Sequence, residues 1–290
     1  MEEPTVITAK RLIKTYNGQN AVNDIDFQVG KGEVFGIIGP NGAGKTTTLK
    51  MISGLIPPTR GQTLINGQAV SIDNIAIKKF IGYLPEDSPL YENMKTRDYL
   101  RFFAFIHDIR RDEADRRIDT LLKQLNLEES NKRLGTFSKG MKRKVAIARS
   151  LINDPQILIY DEPASGLDPQ TAHYIIGFIR TMKDRGKTII FSGHNLAQVE
   201  DICDRVLIMK GGNVAAYGTI AELKEQYGTT AYSITYESGG STQILTIRDM
   251  DEMNRAVREI VNDGGSITDV SVEESNLEEI FLELVGIGDQ

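Results

Sequence analysis

The 290-residue chain predicts an α/β fold: a phosphate-loop core sheet with an antiparallel β subdomain and a helical subdomain, then a small α+β C-terminal domain. Three observations carry that expectation. A glycine-rich loop, GPNGAGKT at residues 39–46, lies between a short apolar run and a helical pattern, the strand–loop–helix setting that such a loop needs. A second apolar run, ILIYDEP at residues 157–163, ends in two adjacent acids. From residue 227 onward the charge balance turns acidic, which marks a separate unit.

Taken in order, residues 5–16, 23–29 and 62–66 read as antiparallel strands around the loop, and residues 33–38 as the strand that feeds it. The helix behind the loop covers 46–53. Helical periodicity runs from Thr96 to about Leu151, within an expected helical subdomain at about 92–152, and separates the two halves of the core sheet. A helix follows at 168–185, with strands at 187–191 and 205–209. The expected division is 1–226 and 227–290. In the second part Tyr232, Ile234 and Tyr236 alternate as on a half-buried strand, and 243–247 offers another. Met250, Met253, Val257 and Ile260 form a helical stripe, and a strand carries Val270 and Val272. Ser275 with Glu278 reads as a capping box for a last helix whose apolar face is Leu277, Ile280, Phe281 and Leu284.

The loop itself is an anion cradle. Gly39, Gly42 and Gly44, with Pro40 in the turn, let the backbone fold back so that N–H groups along Asn41, Ala43 and Lys45 converge on phosphate oxygens. The helix N-terminus at Thr46 and Thr47 adds partial positive charge. Lys45 adds a full charge between the β- and γ-phosphates, and Thr46 places a hydroxyl where Mg²⁺ binds.

In ILIYDEP the strand pleat would send Asp161 and Glu162 to opposite sides. One carboxylate can order a metal's water shell while the other takes a proton from an attacking water. FSKGMKRK, at residues 137–144, opens a helix with Met141, Val145, Ala148 and Ile152 on one face. Ser138 is a good N-cap. With Gly140 and the cations Lys139, Lys142, Arg143 and Lys144 it also makes an anion site.

These motifs, in this order, resemble those of the nucleotide-binding subunits of ATP-binding cassette (ABC) transporters. FSKGM stands where that family's signature is expected, and ASGLDP at 164–169 is similar to the loop after its catalytic strand; the resemblance runs from about residue 9 to 218. It implies ATP and Mg²⁺ as ligands and a head-to-tail pair of ATPase subunits. The γ-phosphate on one subunit's loop would meet Ser138 and Gly140 of the other, and Asp168 would reach the neighbour's loop. Asp161 would bind the metal, Glu162 would be the general base, His194 would sense the γ-phosphate, and Tyr16 in KTYNG would stack on adenine. An integral membrane permease would be the further partner, received in a groove between the helical subdomain and the Glu86 segment. Placement would be cytoplasmic, peripheral on the inner face of the membrane. The acidic C-terminal domain is similar to those that follow the cassette in many exporter ATPases.

Two departures stand out. Glu86, in YLPED, occupies the place of a glutamine that touches Mg²⁺ and relays to the membrane subunit. The signature has Lys139 for a glycine and Met141 for a glutamine. A soluble cassette ATPase serving translation or DNA maintenance is the alternative reading. It usually carries two cassettes or a long coiled-coil insertion, neither of which occurs here. A phosphate-loop kinase gives no reason for FSKGM, ASGLDP and His194 to follow in order.

Composition bounds the rest. Hydrophobic content of 40% with 26% charged residues is ordinary for a globular chain. No apolar run nears the roughly 20 residues that span a bilayer. The start, MEEPTVITAK, reads as lacking a secretory leader. Cys203, the one cysteine, excludes an internal disulfide and fits a reducing cytosol. The net charge of −6 hides an asymmetry: 227–290 hold 3 basic and 13 acidic residues, leaving 31 basic and 27 acidic in 1–226. An acidic tail argues against nucleic acid as a partner.

Overall fold

The computed structural model describes residues 4–127 and 132–286. The chain opens with a long antiparallel pair, β1 (Thr5–Tyr16) and β2 (Gln19–Gly30), turning at Asn17–Gly18. Then come β3 (Val34–Ile38), buried along its whole length, and α1 (Lys45–Ile52) behind the glycine loop. Strands β4 (Arg60–Ile65) and β5 (Gln68–Ala69) precede the short α2 (Ile75–Lys78) and β6 (Ile81–Leu84). Helices α3 (Thr96–Ile106), α4 (Arg111–Gln124) and α5 (Lys139–Leu151) lie between β6 and β7 (Ile157–Tyr160). After β7 run α6 (Pro169–Asp184), β8 (Thr188–Ser192), α7 (Leu196–Ile202), β9 (Arg205–Lys210) and β10 (Asn213–Thr219).

Two sheets build this part. One has the order β2-β1-β4-β5 and is antiparallel; the other has the order β10-β9-β3-β8-β7-β6, with β9, β3, β8, β7 and β6 parallel. Ile7, Leu12 and Ile25 of the first sheet join Phe35, Ile159, Ile190 and Leu207 of the second and Leu49 of α1 in one core. Burial on both faces explains why the parallel strands read as unbroken apolar runs. In this arrangement β3, β8 and β7 are neighbours, so the segments leaving their C-terminal ends meet at one edge. That edge is where α/β sheets place their ligands.

Among the described residues the helical segment holds the α-helices α3, α4 and α5. Arg101 of α3 forks onto Asp115 of α4, with Nε 2.6 Å and Nη2 3.0 Å from its oxygens. Strand and helix bounds otherwise lie within a few residues of those expected, the largest change being β2, which begins at Gln19 rather than Asn23.

The compact units divide between Tyr217 and Gly218. The charge asymmetry pointed to residue 226, but α8 (Ile220–Tyr227) packs with the last helix of the second unit. Here β11 (Thr230–Ser238), β12 (Ser241–Ile247) and β13 (Ser266–Glu274) form an antiparallel sheet in the order β12-β11-β13. Between β12 and β13, α9 (Met250–Asn262) covers one face; Ile234, Ile247, Ala256 and Ile260 are its buried centre. Of the expected stripe, Met250 faces solvent, and so do Val270 and Val272.

One local expectation is overturned. Asn276, not Ser275, caps α10 (Leu277–Val285), its side chain accepting from the Glu279 N–H at 3.0 Å. Ser275 is buried and spends its hydroxyl on Thr229, so the helix begins one residue later. A full capping box does occur, unforeseen, at Thr219 and Glu222 at the start of α8.

Candidate active site

The glycine loop leaves the end of β3 and is held tightly against its surroundings. Gly44 has φ 102°, and a Cβ added there would meet the Ala21 carbonyl oxygen at 2.5 Å, so only glycine fits. The Ala43 N–H bonds the Pro40 carbonyl at 3.1 Å, and the Gly212 N–H bonds the Ala43 carbonyl at 3.1 Å. Lys45 is buried, with Nζ donating to the carbonyls of Gly39 at 2.7 Å and Pro40 at 3.2 Å. Burial lowers its pKa from the ordinary lysine value, an effect opposed by Glu162, Asp161 and Glu86. Three carboxylates therefore bear on one ammonium beside the loop.

A cleft of about 750 Å³ joins many of the predicted residues, though Gly39, Pro40 and Asp161 do not line it. Tyr16, Asn41, Gly42, Ala43, Gly44, Lys45, Thr46 and Thr47 line one part of it. Glu86, Glu162, Ser165 and His194 line the rest. Tyr16 is half exposed and Lys14 Nζ stands 5.3 Å from its ring centroid.

The two acids are separated by backbone conformation rather than by the pleat. Strand β7 ends at Tyr160, and Glu162 takes a left-handed φ of 45°. The alternation expected from a continuing strand therefore does not apply. Asp161 is buried; its N–H bonds the Leu84 carbonyl at 2.8 Å, and its Oδ1 accepts from Ser192 Oγ at 2.6 Å. The same Ser192 oxygen accepts the Glu162 N–H at 3.0 Å. Oε2 of Glu162 faces the cleft, 3.2 Å from Nδ1 of His194.

Ser138 and Gly140, at the start of α5, do other work. Ser138 Oγ accepts the Met141 N–H at 3.2 Å, a helix cap, and Gly140 is needed because a Cβ there would meet Thr171 Cγ2 at 2.9 Å. Neither residue lines the cleft. Asp168 caps α6 by accepting the Thr171 N–H at 2.9 Å, and that bond holds its carboxyl below the usual range.

The expected cation cluster beside Ser138 is dispersed. Lys142 pairs with Glu92 at 2.7 Å, Lys144 lies 4.1 Å over the Tyr174 ring, and Arg143 is buried. The structure thus adds Ser192, which the motifs did not single out, and gives Arg143 a place other than the expected anion site. Ser192 orients both acids, and Arg143 bonds the carbonyls around them. A signal for each existed: a serine closing the buried run TIIFS, and an arginine on the stripe Gly140, Ile147, Ser150.

No group of three or more His, Cys, Asp or Glu that could hold a metal occurs among the described residues. Two carboxylates and a threonine hydroxyl beside a phosphate loop suit hydrated Mg²⁺ arriving with nucleotide phosphates. The donor set fits that ion.

The family described as ABC transporter matches residues 22–165. The linearmycin resistance ATP-binding protein LnrL of Bacillus subtilis (strain 168) is 31% identical, over 97% of this chain and 98% of that protein. The Nod factor export ATP-binding protein I of Rhizobium etli is 32% identical, over 97% and 94%. A solved ATP-binding cassette, a dimer in a post-hydrolysis state bound to ADP and Pi, is 26% identical with TM-score 0.68, over 73% of this chain and 98% of that one. The chain belongs to the ABC transporter family, as an ATP-binding subunit.

Proposed function

We propose that this chain hydrolyses ATP at a site shared by two head-to-tail protomers and so powers export through a separate membrane permease. The observation that carries the reading is the split of the motifs. One cleft joins the loop, Glu86, Glu162 and His194, whereas Ser138 and Gly140 lie outside it on α5.

In this reading Lys45 and the loop amides hold the β- and γ-phosphates, and Tyr16 stacks on adenine. Thr46, Glu86 and Asp161 would hold Mg²⁺. Bound there with ATP, it would supply positive charge to the phosphate oxygens. Glu162 takes a proton from the attacking water as its oxygen bonds the γ-phosphorus. The bond to the ADP oxygen breaks, releasing ADP and phosphate. His194, at hydrogen-bond distance from Glu162, orients that carboxylate and contacts the γ-phosphate.

Ser138 and Gly140 of the second protomer complete the γ-phosphate shell, and Asp168 reaches the neighbour's loop. A hydrogen bond to a charged acceptor contributes about 1.5–3 kcal/mol, so Ser138 favours closure roughly ten- to hundredfold. The relative solved as a dimer with ADP and Pi supports this pairing. Relatives named for linearmycin resistance and Nod factor export support outward transport.

Membrane coupling rests on two features. No helix among the described residues is long and apolar enough to cross a membrane. Phe105 of α3 is 78% exposed, with Phe102, Ile106 and Tyr91 exposed nearby in sequence, an apolar face suited to a permease loop on the inner side of the membrane. The test is detergent extraction of the tagged chain from its own membranes. A stoichiometric multi-span partner is expected. Recovery of the chain in the aqueous fraction alone contradicts the assignment.

A further inference from the structure

Arg143 is only 8% exposed, at the start of the second turn of α5. A guanidinium has five N–H donors in a planar fork, and here all five are used on main-chain carbonyls. Nε donates to Pro163 at 2.9 Å. Nη1 donates to Pro85 at 2.7 Å and to Glu86 at 2.9 Å. Nη2 donates to Asp161 at 2.9 Å and to Glu162 at 2.6 Å. The acceptors belong to two segments only, one leaving β6 and one leaving β7.

Both segments carry acids of the cleft, and one of them is strained. A left-handed backbone at a non-glycine residue persists only where its surroundings enforce it. At Glu162 that enforcement is visible on both sides: Ser192 accepts from its N–H, and Arg143 donates to its carbonyl. Burial lowers the Arg143 pKa to about 10, so it remains a cation at neutral pH and its charge is met by carbonyl dipoles. A lysine, with three donors on a flexible stem, cannot make this fork.

We propose that Arg143 is a positioning residue that locks the backbone of Glu86 and Glu162 to the helix bearing Ser138 and Gly140. Movement at the start of α5 is thereby transmitted to the hydrolytic carboxylate. The inference rests on Glu162 being the general base. It differs from a packing role because the fork acts through Glu162 and leaves the phosphate loop alone.

The test is a double-variant cycle of Arg143→Gln and Glu162→Gln on the full chain, reading kcat, KM for ATP, affinity for a fluorescent ATP analogue and thermal melting. Misplacing a catalytic group by about 1 Å costs up to roughly a hundredfold in rate, so Arg143→Gln should lower kcat about ten- to hundredfold with KM within about threefold. In the Glu162→Gln background the same change should cost less than about twofold, because the group being placed is already lost. Arg143→Lys should fall between parent and Arg143→Gln, and its kcat decides the matter if Arg143→Gln does not fold. Equal losses of kcat in both backgrounds, or loss of analogue binding in step with kcat, overturn the proposal. Unchanged kcat in Arg143→Gln, with Glu162→Gln inactive, refutes the lock and leaves the base assignment standing. Parent-like turnover by Glu162→Gln refutes the base assignment, and the lock with it, whatever Arg143→Gln does.

Discussion

Nδ1 of His194 lies 3.2 Å from Oε2 of Glu162, linking the segment after β8 to the acid after β7. The imidazole is the exposed partner, with its side chain 64% accessible against 14% for the carboxylate. The carboxylate is thus held from the protein side by its strained backbone and from the cleft side by one ring nitrogen. A general base contributes about 10²–10⁴ in rate, so Glu162→Gln should bind ATP normally and turn over at least about a hundredfold slower. His194→Ala should slow turnover with little change in nucleotide affinity. Steady-state phosphate release beside analogue binding checks both; parallel loss of affinity in either variant contradicts the assigned roles.

Lys45 gives a pH dependence whose sign follows from its burial. Its pKa is lowered, so the free protein loses this ammonium at a lower pH than an exposed lysine would. ATP affinity should therefore fall as pH rises through that lowered pKa. Folding stability moves the other way: in the window between the lowered folded value and the ordinary unfolded one, the unfolded chain binds more protons, so stability rises with pH. Lys45→Ala should bind ATP weakly at every pH, with the alkaline fall abolished. Analogue titrations on both proteins as pH is raised decide it.

Much of this site was legible from spacing because phosphate loops and strand-end acids are local devices. GPNGAGKT needs only its own strand and helix, and Gly44 is explained by one close carbonyl. The parts that stayed hidden are tertiary. Arg143 looks like one more cation in KGMKRK until its stripe is seen to face the carbonyls beyond β6 and β7. Ser275 matches a capping pattern in sequence but is drawn inward by Thr229. The unit boundary followed charge in the sequence, whereas α8 follows its packing.

Asp168 has a measurable duty within one protomer, separate from any role across a dimer. As N-cap of α6 it accepts the Thr171 N–H. Asp168→Ala should cost about 1 kcal/mol in stability, whereas Asp168→Asn, an equally good cap, should cost only a few tenths. Urea unfolding of both variants checks the cap. If Asp168→Asn also lowers ATP turnover while keeping stability, the carboxylate has a second function.

Glu86 sits in the cleft and brings a third negative charge near Lys45. Glu86→Gln should retain ATP binding and alter the Mg²⁺ concentration needed for half-maximal turnover, or the coupling of turnover to transport. Superimposable Mg²⁺ titrations, together with equal transport in reconstituted vesicles, would remove the metal-ligand role.

The shared site is tested most directly by the rate of ATP hydrolysis per protomer across dilution, from concentrations where sedimentation finds single chains to those where ATP-bound pairs form. The account predicts a per-protomer rate that climbs with concentration and then levels off as pairing saturates. A constant rate, undiminished where every chain is alone, would contradict it.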